Sequence, residues 1–251
     1  MKALRSIAII AAALVIWELV CRVAHVSPAI LPPPSQVARK WWEYLVTGEL
    51  PRDAAATLLR VAVGFAIGAG LALPLGLWMG ARDRVYEVFN PLVQLLRPIP
   101  PIAYIPLAIL WFGLGNPPAF FLISLGAFFP VLMNTIAGVR NVDAIYVRAA
   151  QNLGAPGRTL FWRVLFPAAM PSILAGMRVG VGVAFIVVIV AEMIAVNSGL
   201  GYRILEAREY FWSDKILAGM ISIGVIGLGI DTVMARINDR LLRWHRGLEH
   251  A

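Results

Sequence analysis

Apolar runs of near-membrane length recur along the sequence, at 6–24, 55–80, 90–112, 118–139, 172–196 and 216–237. A bilayer core needs ~20 apolar residues of helix to cross it. Within hydrocarbon each backbone N–H and C=O must find a partner in its own segment, so each run is expected to be helical. The chain is therefore read as an all-α integral membrane protein, a single transmembrane domain over 1–251 with about six spans. Composition supports this, with 60% hydrophobic and 14% charged residues and a mean hydropathy of +0.77. Such values exclude a disordered chain, a nucleic-acid-binding domain and an ordinary cytosolic enzyme. The formal charge is +8, which suits cations gathered at a cytoplasmic membrane face. Cys21 is the single cysteine, so no disulfide within the chain and no cysteine zinc site is possible.

The first run follows a short basic head with Lys2 and Arg5. A signal peptide has a shorter apolar region, of ~7–15 residues, than this run, which also carries Trp17, Glu18 and Arg22. A retained helix is expected. Pro28, Pro32, Pro33 and Pro34 then forbid helix. Ser35 is expected to cap an amphipathic stretch over 35–47, with Trp41, Trp42 and Tyr44 beside Arg39 and Lys40. That mixture suits either a helix at the water–lipid boundary or an exposed linker helix. The core that follows runs over 55–237, and 238–251 forms a tail. The run at 90–112 is interrupted by Arg97, Pro98, Pro100, Pro101 and Pro106. Broken backbone at that depth is tolerated only against protein or a water-filled cavity.

With the amino terminus inside, the cytoplasmic segments hold Lys2, Arg5, Arg82, Arg84, Arg140, Arg148, Arg158, Arg163, Arg236, Arg240, Arg243 and Arg246. Arg22, Arg39, Lys40, Arg52, Arg203, Arg208 and Lys215 fall opposite. The bias predicts that both termini are cytoplasmic. Gly64 and Gly68, Gly76 and Gly80, and Gly176 and Gly180 are small residues one helical turn apart. They are read as contacts where helix backbones approach closely.

One connection, 140–171, is long and moderately polar. A helix is expected at 144–153, a break at Gly154-Ala155-Pro156-Gly157, and a second amphipathic helix at 158–166 ended by Pro167. Leu160, Phe161, Val164 and Leu165 share one face of that second helix. Two short helices at a sharp angle make either a knob for a cytoplasmic partner or a hairpin packed on its own bundle.

The spacing Arg148-Ala149-Ala150, three residues, Gly154, nine residues, then Val164-Leu165-Phe166-Pro167 resembles the EAA loop of binding-protein-dependent ABC importer permeases. The segment Leu96–Gly115 resembles the aliphatic sulfonate, taurine and nitrate branch. So do Gly126-Ala127-Phe128-Phe129-Pro130, Ala191-Glu192-Met193, Ser198-Gly199-Leu200-Gly201-Tyr202, Ala207-Arg208-Glu209-Tyr210 and Leu241-Leu242-Arg243-Trp244. The sulfonate permeases are the nearest in pattern. The resemblance implies a type I ABC importer permease fold with a cytoplasmic coupling-helix loop in the bacterial inner membrane. It implies a second permease copy, a cytoplasmic ATPase dimer that holds ATP and Mg, and a periplasmic substrate-binding protein. It assigns ATPase coupling to Arg148, Ala149, Ala150, Gly154, Ala155, Leu160, Phe161, Val164 and Pro167. Arg148 stands where the family usually has Glu, which reverses one charge of that segment.

This subunit is expected to hold no cofactor and to hydrolyse nothing. The sequence has no Gly-x4-Gly-Lys-Ser/Thr loop, and His25, His245 and His250 have no metal-ligand spacing. Ionisable and polar residues within spans are functional candidates. These are Glu18, Arg60, Arg97, Asn134, Arg178, Glu192 and Asp231. A translocation path or gate is expected at Arg97, Pro98, Pro100, Tyr104, Asn134 and Glu192. Arg97 either faces an anionic substrate across the proline break or snorkels to a headgroup. Glu192 is expected to pair with an arginine of another helix, Arg178 to anchor at the interface, and Asn134 to bond between helices or line the path. Tyr104, Trp111 and Phe112 also fit a packing role. An ATPase-independent secondary transporter and a membrane scaffold are the competing readings.

Overall fold

Two helices that meet backbone to backbone form the centre of this molecule, and glycines spaced by one turn allow it. The computed structural model describes residues 2–246. Its helices are α1 (Lys2–Val23), α2 (Pro34–Val46), α3 (Glu49–Ala81), α4 (Asp83–Leu96), α5 (Ile105–Phe112), α6 (Asn116–Arg140), α7 (Ala144–Asn152), α8 (Gly157–Leu160), α9 (Phe166–Ala195), α10 (Leu200–Glu209), α11 (Ser213–Leu241) and α12 (Arg243–Arg246). Residues 247–251 of the expected tail lie outside the described residues.

On α3, Gly64, Gly68, Ala72, Gly76 and Gly80 form one stripe against α6. A Cβ at Gly64 would approach Ile123 to 2.6 Å, and one at Gly80 would approach Val139 to 2.7 Å. On the other side of α6, a Cβ at Gly176 of α9 would come within 2.5 Å of Asn134. In lipid, such contacts stabilise through close packing rather than transfer from water. Leu122, Ile123, Val131 and Leu132 of α6 are fully enclosed between α3 and α9. Every expected small-residue pair thus serves packing inside the bundle.

Among the described residues, α3, α6, the continuous helix Gly157–Ala195 and α11 are long and apolar enough to cross a membrane. They match the runs at 55–80, 118–139, 172–196 and 216–237 and overrun them, because polar turns extend beyond the apolar part. The run at 90–112 is not one helix. α4 and the segment Pro101–Phe112 meet at 81°, with the break at Arg97–Pro100. Pro98, Pro100 and Pro101 can donate no backbone N–H, so no helical ladder continues through them.

Two other expectations change. Ser35 is not the cap of α2, which starts at Pro34. Its N–H and Oγ instead donate to Glu18 of α1, at 3.0 and 2.8 Å. Pro167 does not end a helix either. It lies at the start of α9, directly after a π-turn and inside the continuous helix Gly157–Ala195. A π-turn at Phe161–Leu165 joins α8 to α9, with the Phe166 N–H donating to the Phe161 carbonyl five residues back. The segment 140–171 is therefore one short helix, α7, followed by the entry of a long one. α2 packs on α11, where Trp41 Nε1 donates to Ser222 Oγ at 2.9 Å.

Candidate functional site

Midway along α6, Pro130 has no N–H to give the Gly126 carbonyl. Both residues line a cleft of about 330 Å³. The proline break supplies its opposite wall through Arg97, Ile99, Pro100 and Pro101. Asn134 also lines it, and its Nδ2 donates to the Pro130 carbonyl at 2.9 Å. Asn134 thus makes its bond within its own helix rather than between helices. Arg97 is exposed at the carboxyl end of α4, and its side chain has no ion-pair partner among the described residues. A free guanidinium beside an apolar wall and a proline-distorted backbone can attract an oxyanion and let it go again. Of the expected path residues, Arg97, Pro100 and Asn134 come together here. Pro98 lies in the same break without lining the cleft. Tyr104 packs instead into the apolar core with Phe65 and Ile109. Trp111 meets Phe121 edge-on at 5.9 Å, a packing contact.

Glu192 stands apart from that cleft. It is fully buried and pairs with Arg60 of α3, whose Nη1 donates to Oε1 at 2.7 Å. Thr57 Oγ1 and the Gly201 N–H donate to Glu192 Oε2 at 3.0 and 2.9 Å. Arg60 also donates to Asn116 Oδ1, to the Ser198 carbonyl and to Ser198 Oγ, at 2.8, 2.8 and 2.6 Å. Asp53 accepts from the Gly199 N–H at 3.0 Å and from Arg203 Nε at 2.6 Å. Every oxygen of the two carboxylates is satisfied, as buried charge requires. Burial opposes the Arg203 charge, but the Asp53 and Glu206 carboxylates more than offset it and hold its pKa above the ordinary range. The network ties α3, α6 and α9 to the turn before α10. Gly199 has φ +103°, and a Cβ there would strike the Glu192 carboxylate at 2.3 Å. Only a glycine leaves room for the carboxylate in this turn.

The partnership of Arg60 with Glu192 follows the expectation that Glu192 binds an arginine. Asp53, Thr57 and Ser198 were not among the candidate residues. The one sequence signal for Asp53 and Thr57 is an i, i+4, i+7 polar row with Arg60 on α3. Arg178 pairs with Asp231 of α11 through two bonds of 2.8 and 2.7 Å, linking two spans rather than standing as a lone anchor.

At the far end of α3, some 20 residues or ~30 Å of helix from Arg60, lies α7. Asp143 caps it, accepting from the Ile145 N–H at 2.9 Å. Gly154, at φ +78°, ends it. The Gly154 N–H donates to Gln151 and the Ala155 N–H to Ala150, at 2.9 and 3.0 Å, the paired bonds of a Schellman stop. Ala149 and Ala150 lie within the helix. Arg148 lines a cleft of about 440 Å³ with Arg140 and Asp83, which pair at 2.8 Å. Ile145, Tyr146 and Leu153 are exposed at 68, 58 and 88%. Leu160, Phe161, Val164 and Pro167 are half-buried on the bundle. The exposed large apolar side chains of this segment are thus Ile145, Tyr146 and Leu153 at α7 and Trp162 of the π-turn.

The chain is similar in sequence to several known proteins. A protein of Methanocaldococcus jannaschii is 42% identical over 246 residues, covering 96% of this chain and 92% of that protein. The taurine transport system permease protein TauC of Escherichia coli is 36% identical, covering 96% of this chain and 89% of its own. The nitrate import permease protein NrtB of Synechocystis is 30% identical over 93% of this chain and 87% of its own. Among solved structures, an inward-facing MetNI methionine ABC transporter chain superposes with a TM-score of 0.65 at 17% identity, over 74% of this chain and 92% of that one. That likeness bears on fold alone. Residues 72–246 match the family described as the binding-protein-dependent transport system inner membrane component, and the chain belongs to that family.

Proposed function

We propose that this chain is the membrane-spanning permease of an ATP-driven importer and forms the path for a small organic anion, an aliphatic sulfonate or taurine, delivered by a periplasmic binding protein. Nitrate or another small anion is the alternative within the branch. The observation that carries the substrate class is the unpaired Arg97 on the proline-broken cleft with Asn134. The name of TauC agrees with it. Two copies of the chain would pair around the path. An ATPase dimer with ATP and Mg would sit beneath α7, whose exposed Ile145, Tyr146 and Leu153 suit an apolar groove on such a partner. Gly154 and the Schellman stop would keep α7 rigid enough to carry a push. Arg148 would then face the partner alongside its own Arg140, and an acidic group there would complement both. α1, with Ile9, Ile10, Val15 and Ile16 exposed, would add a further span, and both termini would be cytoplasmic.

Purification of the tagged chain from its native membrane in mild detergent, with mass spectrometry of what accompanies it, tests the assembly. The expected result is a stoichiometric ABC ATPase and no second permease. A chain that purifies alone and transports without ATP would contradict it.

A further inference from the structure

Near the α7 end, α3 and α8 enclose a larger basin of about 840 Å³. Leu73, Leu77 and Trp78 of α3 form one wall, and Phe161 and Trp162 of the π-turn form another. Trp78 and Trp162 are 51 and 55% exposed, so both aromatic walls stand open. Two guanidinium groups, Arg82 and Arg158, also line it, and among the described residues no carboxylate does. Neither has a hydrogen-bond or ion-pair partner among the described residues, whereas Arg140, Arg178 and Arg203 each hold a carboxylate. The basin lies at the carboxyl end of α3, a helix long and apolar enough to cross a membrane, and lipid headgroups are met where such a span ends.

We infer that this basin binds one anionic phospholipid, with its phosphate taken by Arg82 and Arg158 and an acyl chain laid along Leu73, Leu77 and Trp78. An apolar trough that ends in unpaired arginines matches an acyl chain that ends in a phosphate. The lack of any lining carboxylate leaves nothing to receive the ammonium of a zwitterionic headgroup, so the anionic class is preferred. Gly157 opens on the basin, and a Cβ there would meet nothing within 4 Å. A bulky side chain at that position therefore fills the trough without displacing a neighbour at its root. The inference needs the membrane location but not the identity of the transported anion.

The test uses the full chain with whatever subunits purify with it, delipidated and titrated with dioleoyl phosphatidylglycerol or dioleoyl phosphatidylcholine, with bound lipid counted by native mass spectrometry. Phosphatidylglycerol should be retained roughly tenfold better. The Arg82→Ala/Arg158→Ala double variant should lose that preference, and Arg82→Lys/Arg158→Lys should keep part of it. Gly157→Trp should lower retention of phosphatidylglycerol with both arginines in place, which separates occupancy of the basin from general surface charge. Equal retention of the two lipids by the unmodified chain would overturn the inference. So would a preference that survives both the double alanine variant and Gly157→Trp. If the double alanine variant keeps its lipid and sheds a copurifying ATPase, the basin is a protein-docking face and the lipid assignment is wrong.

Discussion

Arg60 Nη1 donates to Glu192 Oε1 at 2.7 Å, with side-chain exposures of 5 and 0%. The two residues stand 132 positions apart and belong to the helices that flank α6 on either side. Their pairing closes one end of the bundle. Breaking a buried pair by removing one partner leaves the other charge stranded. Glu192→Ala should therefore destabilise the folded chain by about 3–5 kcal/mol, read as a lowered midpoint in detergent thermal unfolding. Arg60→Met/Glu192→Met should recover only part of that loss, since it strands no charge but leaves the Gly201 N–H and the Ser198 carbonyl without these partners. A Glu192→Ala variant as stable as the unmodified chain would show that the pair is not closed in solution.

Gly199 gives a second, steric test. Gly199→Ala places a Cβ against the Glu192 carboxylate and forces alanine to φ +103°. Strain of this kind costs about 1–3 kcal/mol. Gly182→Ala, with open space at its Cβ, serves as the control and should change stability by less than about 1 kcal/mol. Thermal midpoints of the two variants should separate clearly.

The stop of α7 should matter for coupling rather than for folding. Gly154→Val puts a β-branched residue at φ +78° with nothing near its Cβ, so the strain is purely local to the backbone. The variant should insert and assemble normally while uptake falls several-fold relative to ATP hydrolysis. Leu153→Ser tests the exposed apolar knob separately and should weaken retention of the ATPase. Paired measurements of hydrolysis and uptake in vesicles decide the first, and the ATPase-to-permease ratio decides the second.

The long apolar helices were legible in the sequence because lipid imposes a simple length rule, and runs such as 118–139 and 216–237 carry few interruptions. The small-residue rows were legible for the same reason, since Gly64, Gly68, Gly76 and Gly80 keep helical spacing. Two kinds of feature were not. Pro167 looked like a helix end, but a π-turn accommodates the missing N–H, and single-residue rules do not see that turn. Asp53 and Thr57 form a short polar row on α3 with no partner near them in the sequence. Their function depends on Gly199 and Leu200, more than 140 residues away, which they meet only once α3 and α9 are packed. Arg97, Pro100 and Asn134 were legible as candidates individually, yet Tyr104, beyond the 81° bend, packs against the apolar core.

Arg97→Ala should reduce uptake while leaving the amount of assembled complex unchanged, because the side chain makes no ion pair among the described residues whose loss would destabilise the fold. Arg97→Lys retains charge but not the planar fork, and should give an intermediate rate. Unchanged transport by Arg97→Ala at equal expression would reassign this residue to headgroup anchoring.

The most direct measurement is uptake of labelled taurine into proteoliposomes that hold the purified permease with its ATPase, with the binding protein supplied on the outer face. Accumulation that needs ATP inside, and that Arg97→Ala depresses, is the predicted result. Accumulation that proceeds equally without ATP, driven by an ion gradient alone, would contradict it.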